Sequence, residues 1–388
     1  MKLGIVSHLV PPATGGQAML IYRLLRGLDP DAYCLISQQR EEGEAGQRDD
    51  RTRLSGPYRH LPAERVPGGE VKLLRGLLLP AALRARSRRI AELLREERCD
   101  AVVAFTGDLL NLPAAALAAR AAGIPYFVYV CDYYSYQWVN PALRLVARRL
   151  EPSLLRRASG VIVPSEFMRD ELRRRFGVDA SVIHHACDLA LYEDPPPAAM
   201  PSDEDVRIVY TGAISPAQSD ALQSLLRAAE LLEEDQVGVH IYTGQSAAVL
   251  EHLGIHGRFV HHGHEPPSAM PAVQRSADLL FLPLSIDSPY PELIRTAAPF
   301  KMGEYLAARR PILIHAPPDC FLSWYFRRYE CGLVVDQPDP EMLAEAIVQL
   351  ASDETLQEGL AARAWERARL DFDSERARRS FLRAISTG

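Results

Sequence analysis

Chemistry in this 388-residue chain is densest in one segment, Thr296-Ala297-Ala298-Pro299-Phe300-Lys301-Met302-Gly303-Glu304-Tyr305-Leu306. Pro299 suits the first turn of a helix and Arg310-Pro311 ends it, so Lys301 and Glu304, three apart, share one face near its positive end. Such a face can receive a diphosphate and a ribose together. Lys301 supplies a point charge to phosphate oxygens, Glu304 accepts hydrogen bonds from ribose hydroxyls, and the helix N-terminus helps to neutralise the anion. The same pair also reads as an exposed helical ion pair, contributing at most roughly 0.5 kcal/mol and marking nothing.

Two strand-to-helix turns carry further chemistry. Gly15-Gly16 follows Pro11-Pro12-Ala13-Thr14, and the missing β-carbons let backbone amides approach a phosphate or sugar just before a helix. The pattern is not GxGxxG, and a plain tight turn explains it equally well. Asp132, in Cys131-Asp132-Tyr133-Tyr134, can orient a sugar hydroxyl or an acceptor, or simply cap a buried turn. Cys131 has no histidine partner placed by sequence and reads as a small buried hydrophobe.

Metal chemistry finds little support. His184-His185, His261-His262 and His264 are widely separated and stand at strand ends, which favours loop polarity over a zinc site. No Asp-x-Asp element occurs at a strand end where a divalent ion would bridge phosphates, and Asp49-Asp50 sits in a polar loop. The expectation is a metal-independent reaction, with no cofactor.

These residues are positioned by an alternation of strands and helices. Leu3 to Val6, Ala101 to Phe105, Tyr126 to Val130, Gly160 to Val163 and Ser181 to His184 read as buried strands. Helical stretches run from Met19 to Leu28, Leu112 to Ala122, Leu145 to Leu155 and Ser165 to Phe176. Residues 193–205, rich in proline and acid, read as a linker. The alternation restarts with strands at Arg207 to Tyr210, Val239 to Tyr242, Arg258 to His261, Leu279 to Leu282 and Ile312 to His315, and helices at Ala221 to Leu232 and Phe300 to Ala308. The reading is α/β, with two Rossmann-like domains: residues 1–192, then, past the linker, residues 206–370, and a final helix at 371–388 crossing back.

A net charge of -6 argues against a nucleic-acid partner. Cys34, Cys99, Cys131, Cys187, Cys320 and Cys331 show no CxxC spacing, which suits a reducing compartment. The opening MKLGIVSHLV enters a strand without a signal-peptide pattern, and the longest later apolar run, Leu77 to Leu83, is too short to span a bilayer. A cytoplasmic protein is expected. The run from Val71 to Leu94, with Arg75, Arg84, Arg86, Arg88 and Arg89, offers either a solvated helix face or a contact for an anionic membrane surface.

In order along the chain, PPATGGQAMLIYRLLRGL, RRASGVIVPSEFMRDELRRRFGV, VIHHACDLALY, YTGAISPAQSDALQSLLRAAELL, RFVHHGHEPPSAMPAVQRSADLLFLPLS and PFKMGEYLAARRPIL resemble the retaining glycosyltransferases of family 4, which have the GT-B fold. The likeness runs through nearly the whole chain. It implies two Rossmann-like domains facing a central cleft, a nucleoside-diphosphate sugar as donor substrate, and transfer with retention to a small-molecule or glycan acceptor, in glycan or natural-product biosynthesis. By that resemblance Gly15 and Gly16 lie beside the donor phosphates and transferred sugar, Gly212 opens the donor domain, and Glu304 binds the ribose. Thr296, Pro299 and Lys301 gather around the diphosphate.

Departures from the family pattern are equally specific. The first of two glutamates eight apart falls at Thr296, and Gly212 is followed by Ala213-Ile214-Ser215-Pro216-Ala217-Gln218 where relatives carry an arginine and a lysine. Each lost charge-assisted hydrogen bond removes roughly 1.5–3 kcal/mol of donor binding, leaving Lys301, helix-end amides and Arg295 to compensate. The histidine that would contact the sugar is replaced by Cys131. These losses keep open a degenerate GT-B protein that binds a nucleotide or partner without transfer. A two-Rossmann oxidoreductase is disfavoured, since no GxGxxG follows an early strand.

Overall fold

The structure, a computed structural model, describes every residue except 14, 39–48, 63–71, 137, 139, 195–205, 233–236 and 387–388, and of 72–78 the backbone alone. The chain forms two compact units, Met1–Ile183 with Arg378–Gly388, and His184–Ala377. Most of the linker expected at 193–205 lies outside the described residues.

In the first unit β1 (Leu3–Val6), β2 (Tyr33–Ser37), β3 (Tyr58–His60), β4 (Ala101–Phe105), β5 (Tyr126–Tyr129), β6 (Gly160–Val163) and β7 (Ser181–Val182) form one parallel sheet in the order β3-β2-β1-β4-β5-β6-β7. Parallel strands are covered on both faces, so they are written as unbroken apolar runs. LGIV, AVVAF and YFVY are buried along their whole length. Helices Gly16–Leu25, Lys72–Glu96, Asn111–Ala122, Pro141–Arg156 and Glu166–Phe176 connect the strands. Their starts are chemically marked: Ser165 Oγ accepts from the Met168 N–H at 3.2 Å, and Asn140 Oδ1 from the Ala142 N–H at 2.9 Å.

The second unit repeats the plan with β8 (Val206–Thr211), β9 (Val237–Tyr242), β10 (Val260–His262), β11 (Leu279–Pro283), β12 (Ile312–His315) and β13 (Leu333–Val335), parallel and ordered β10-β9-β8-β11-β12-β13. Its core packs Ile208, Tyr210 and Phe281 of the sheet against Leu222, Leu225 and Ile347 of the helices. In each sheet the strand order reverses beside the first strand, between β1 and β4 and between β8 and β11. Open parallel sheets bind ligands at such switch points, beyond the carboxyl ends of the strands.

The unit boundaries fall at Ile183 and Ala377, where sequence alone places them at 192 and 370. The reason is one strand-like exchange. Cys187 N–H donates to the Phe372 carbonyl at 2.7 Å, Ser374 N–H donates to the Cys187 carbonyl at 3.1 Å, and the His184 ring stacks on Phe372 at 5.1 Å. Residues after 183 and before 378 are thereby tied into the second unit. The last helix, Ser374–Ser386, starts in that unit and belongs to the first from Arg378 onward.

The basic helix Lys72–Glu96 is only partly the solvated face expected. Arg84 and Arg88 are exposed, but Arg86 is buried, paired with Asp108 and donating to Asn111 Oδ1 at 2.8 Å. Arg86 thus serves the core. Among the described residues no helix is long and apolar enough to cross a membrane.

Candidate functional site

β8 ends at Thr211, and the backbone turns at Gly212 with φ of +105°, where side chains other than glycine are strained. A β-carbon at that position would also lie 3.4 Å from Lys301 Nζ. Lys301 Nζ in turn sits 3.6 Å from the centroid of the Tyr210 ring, within cation–π range. Desolvation lowers the Lys301 ammonium to about 7, against the opposing pull of the Glu304 carboxylate. A cation so placed gains from any anion that arrives at the turn.

Lys301 is the N-cap of a six-residue helix, Met302–Ala307, with Glu304 in its first turn. This corrects the expected start at Phe300. Met302 N–H closes a turn on the Pro299 carbonyl at 3.0 Å, and the Phe300 ring is held outside the helix by stacking on His185 at 3.9 Å. So short a helix adds little dipole, and the Lys301 side chain is the principal positive group of the turn.

Glu304 Oε2 accepts from Gln274 Nε2 at 3.1 Å, and the same amide nitrogen lies 3.4 Å from Thr211 Oγ1. Thr211 donates through its N–H to the Tyr305 hydroxyl at 2.9 Å. Gly212, Lys301 and Glu304 are thus gathered in one bonded neighbourhood at the carboxyl end of β8. Thr296 is buried at the end of helix Pro291–Thr296, its hydroxyl 3.4 Å from the Glu292 carbonyl, and Arg295 is exposed on the same helix.

Amides hold the loop that follows Gly212. Gln245 accepts from Ile214 N–H at 2.6 Å and donates to its carbonyl at 2.9 Å, while Gln218 Oε1 accepts from the Ser215 N–H and hydroxyl at 3.1 and 2.7 Å. Asp220 Oδ2 then accepts from Ser285 Oγ at 2.9 Å and from the N–H groups of Ile286 and Asp287 at 3.0 Å each. One carboxylate therefore joins the first turn of helix Ser219–Glu230, which follows β8, to the loop after β11, the two strands flanking the switch point.

In the first unit Gly15 is the exposed N-cap of helix Gly16–Leu25, its carbonyl accepting from Met19 N–H at 3.0 Å. Asp132 follows β5. Its N–H and that of Cys131 reach Thr106 Oγ1, at 3.4 and 3.0 Å, which ties the ends of β4 and β5. The Asp132 side chain reaches solvent, yet surrounding protein desolvates it and raises its carboxyl to about 6. Burial first, then the Asp132 charge, pushes the Cys131 thiol well up, which disfavours a thiolate nucleophile.

The residues that sequence reading missed are polar partners of this machinery. Tyr210, Gln274, Gln245 and Asp220 carry no local motif. His8, after β1, is another: its Nδ1 is buried with no hydrogen-bond partner, and its ring packs where a β-carbon on Gly107, at φ +138°, would approach Cε1 to 2.2 Å. Of the histidines read as loop polarity, His261 and His264 are exposed, while His184, His185 and His262 are packed. His184 lies among Phe321, Tyr325 and Phe372, and His262 stacks on Tyr242 at 3.9 Å and meets His240 at 2.9 Å. Among the described residues no group of three or more His, Cys, Asp or Glu is placed to hold a metal ion.

Residues 15–186 match the family model described as glycosyl transferase 4-like domain, and residues 205–353 match glycosyl transferases group 1. No curated protein matches the sequence. Among solved structures, HepE from Anabaena, in complex with UDP and glucose, superposes with a TM-score of 0.72 at 16% identity, covering 100% of this chain and 99% of that one. Sucrose-phosphate synthase from Thermosynechococcus elongatus gives 0.72 at 15% identity, covering 100% and 98%. The lipopolysaccharide outer core galactosyltransferase WaaB gives 0.65 at 14% identity, covering 100% and 99%. With two parallel sheets of this topology and both halves matched by glycosyltransferase families, the chain belongs to the glycosyltransferases of the GT-B fold.

Proposed function

We propose that the protein moves a sugar from a nucleoside-diphosphate sugar to an acceptor hydroxyl with retention at the anomeric carbon, without a bridging metal ion. The observation that carries this reading is the Lys301 ammonium held over Tyr210 beneath the Gly212 turn, with Glu304 in the helical turn that follows. The diphosphate sits on the turn against Lys301, and Glu304 accepts from the ribose. As the bond to the anomeric carbon breaks, negative charge grows on the diphosphate, and a desolvated cation beside it stabilises that state more than the ground state. Thr296 lines the phosphate side, and the family resemblance gives Gly15 and Gly16 of the first unit the role of offering backbone amides to the sugar. Asp132, on the first unit, orients the attacking hydroxyl. HepE and its UDP complex support a uridine nucleotide as the first donor to test.

Binding without transfer is the second reading. Gln218 occupies its loop where a cation would clamp phosphate, and the Cys131 thiol is buried. Calorimetric titration with nucleoside diphosphates and their sugars in EDTA, followed by mass detection of released sugar, separates the two. Binding with slow hydrolysis supports the transferase. Binding with no turnover on any donor supports the second reading, and no binding at all sinks both. The anomeric configuration of a product, read by its proton coupling, tests retention.

A further inference from the structure

We propose that Gln274, oriented by Tyr192, is the positioning residue for Glu304 and so sets the preference of the site for a ribose carrying its 2′ and 3′ hydroxyls; this rests on the donor-site reading above. Gln274 lies on the short helix Met270–Arg275 and is fully buried. A buried amide must place two donors and an acceptor. Here the Tyr192 hydroxyl donates to Oε1 at 2.6 Å, leaving Nε2 facing Glu304 Oε2 at 3.1 Å and Thr211 Oγ1 at 3.4 Å.

The orientation of the amide is determined from both ends. Turned over, it would set Oε1 against a carboxylate oxygen, a repulsive contact, so only Nε2 suits the Glu304 side. Tyr192 fixes the other end and is itself buried. Thr211, which shares the amide, is bonded to Tyr305 at 2.9 Å and immediately precedes Gly212. One side chain therefore references the ribose acceptor to the turn that lies over Lys301. Glu304 is half-buried, and a carboxylate held before its ligand arrives loses less freedom on binding.

The test uses the full chain and whichever of uridine, guanosine or adenosine diphosphate binds it most tightly, together with the 2′,3′-dideoxy counterpart. In Gln274→Leu the ribonucleotide should weaken roughly three- to tenfold while the dideoxy form binds unchanged. Tyr192→Phe, which keeps the ring, should show a smaller loss of the same kind. In a Glu304→Ala background neither change should alter the ratio further. A ribose preference that survives both single variants overturns the proposal, as does an equal loss for both nucleotides, which would mean general damage to the fold. If no diphosphate binds the unaltered protein, the donor-site reading falls, and this inference with it.

Discussion

Lys301 Nζ stands 3.6 Å from the Tyr210 ring centroid, so a cation and the last aromatic residue of β8 form the floor of the Gly212 turn. A ring face compensates an ammonium only partly. Desolvation therefore brings Lys301 down to about 7, and in the empty site at pH 8 most of it is neutral. A bound diphosphate would restore the charge. We expect uptake of up to about one proton per nucleotide bound at pH 8, measured calorimetrically in buffers of different ionisation enthalpy. Uptake should disappear in Lys301→Met. No uptake at pH 8 in the unaltered protein would mean that Lys301 does not meet the phosphates.

Stability should respond to the same residue with the opposite sign. The Lys301 value falls from 10.5 unfolded to about 7 folded. The folded state thus carries the cost of a desolvated charge in full below pH 7, and that cost is relieved as pH rises towards 10.5. Lys301→Met removes it. The variant should melt higher than the unaltered protein at pH 6, with the gain shrinking by pH 9.5, while nucleotide affinity drops roughly tenfold to a hundredfold. A variant that melts lower at pH 6 would show that the lysine supports the fold.

Much of this frame is legible in the sequence for one physical reason. Strands covered on both faces appear as unbroken apolar runs, so β1, β4, β6 and β12 stand at the predicted residues. The strands left unread are β2, YCLIS, with polar Ser37 at its end, the part-exposed β3, and β13, only three residues long. Helix Lys72–Glu96 covers nearly all of the run from Val71 to Leu94 that reads as a helix face, with Pro80 inside it. At the site, Lys301 and Glu304 are visible because their residue types and spacing imply a chemistry, and Gly212 is visible through the family resemblance. Gln274 is not. Its meaning depends on Thr211, 63 residues away, and Tyr192, 82 away, and no local pattern records such a bond.

Gly212 offers a test of the turn itself. At φ +105° an alanine is strained, and its β-carbon would sit 3.4 Å from Lys301 Nζ. We expect Gly212→Ala to lose about 1–3 kcal/mol of stability, read from the denaturant midpoint, and to bind nucleotide more weakly than that loss alone explains. Full affinity in this variant would place the phosphates elsewhere.

Asp132 separates binding from transfer. Desolvation raises its carboxyl from 3.8 to about 6, so the folded protein holds a proton there that the unfolded chain has released across that interval. Below pH 3.8 both states are protonated and Asp132 costs nothing. Between pH 3.8 and 6 the unfolded chain ionises while the folded carboxyl still holds its proton, so stability falls across that interval and is level above it. Asp132→Asn should therefore stabilise the protein at pH 7.5 and leave it unaltered at pH 4 by thermal melting. If the carboxylate orients the attacking hydroxyl, transfer should decline below pH 6 in the unaltered protein. The asparagine variant should bind the donor normally yet turn over far more slowly, with no such decline. An asparagine variant that transfers at the full rate would leave Asp132 as a turn residue, tied to Thr106 and outside the reaction.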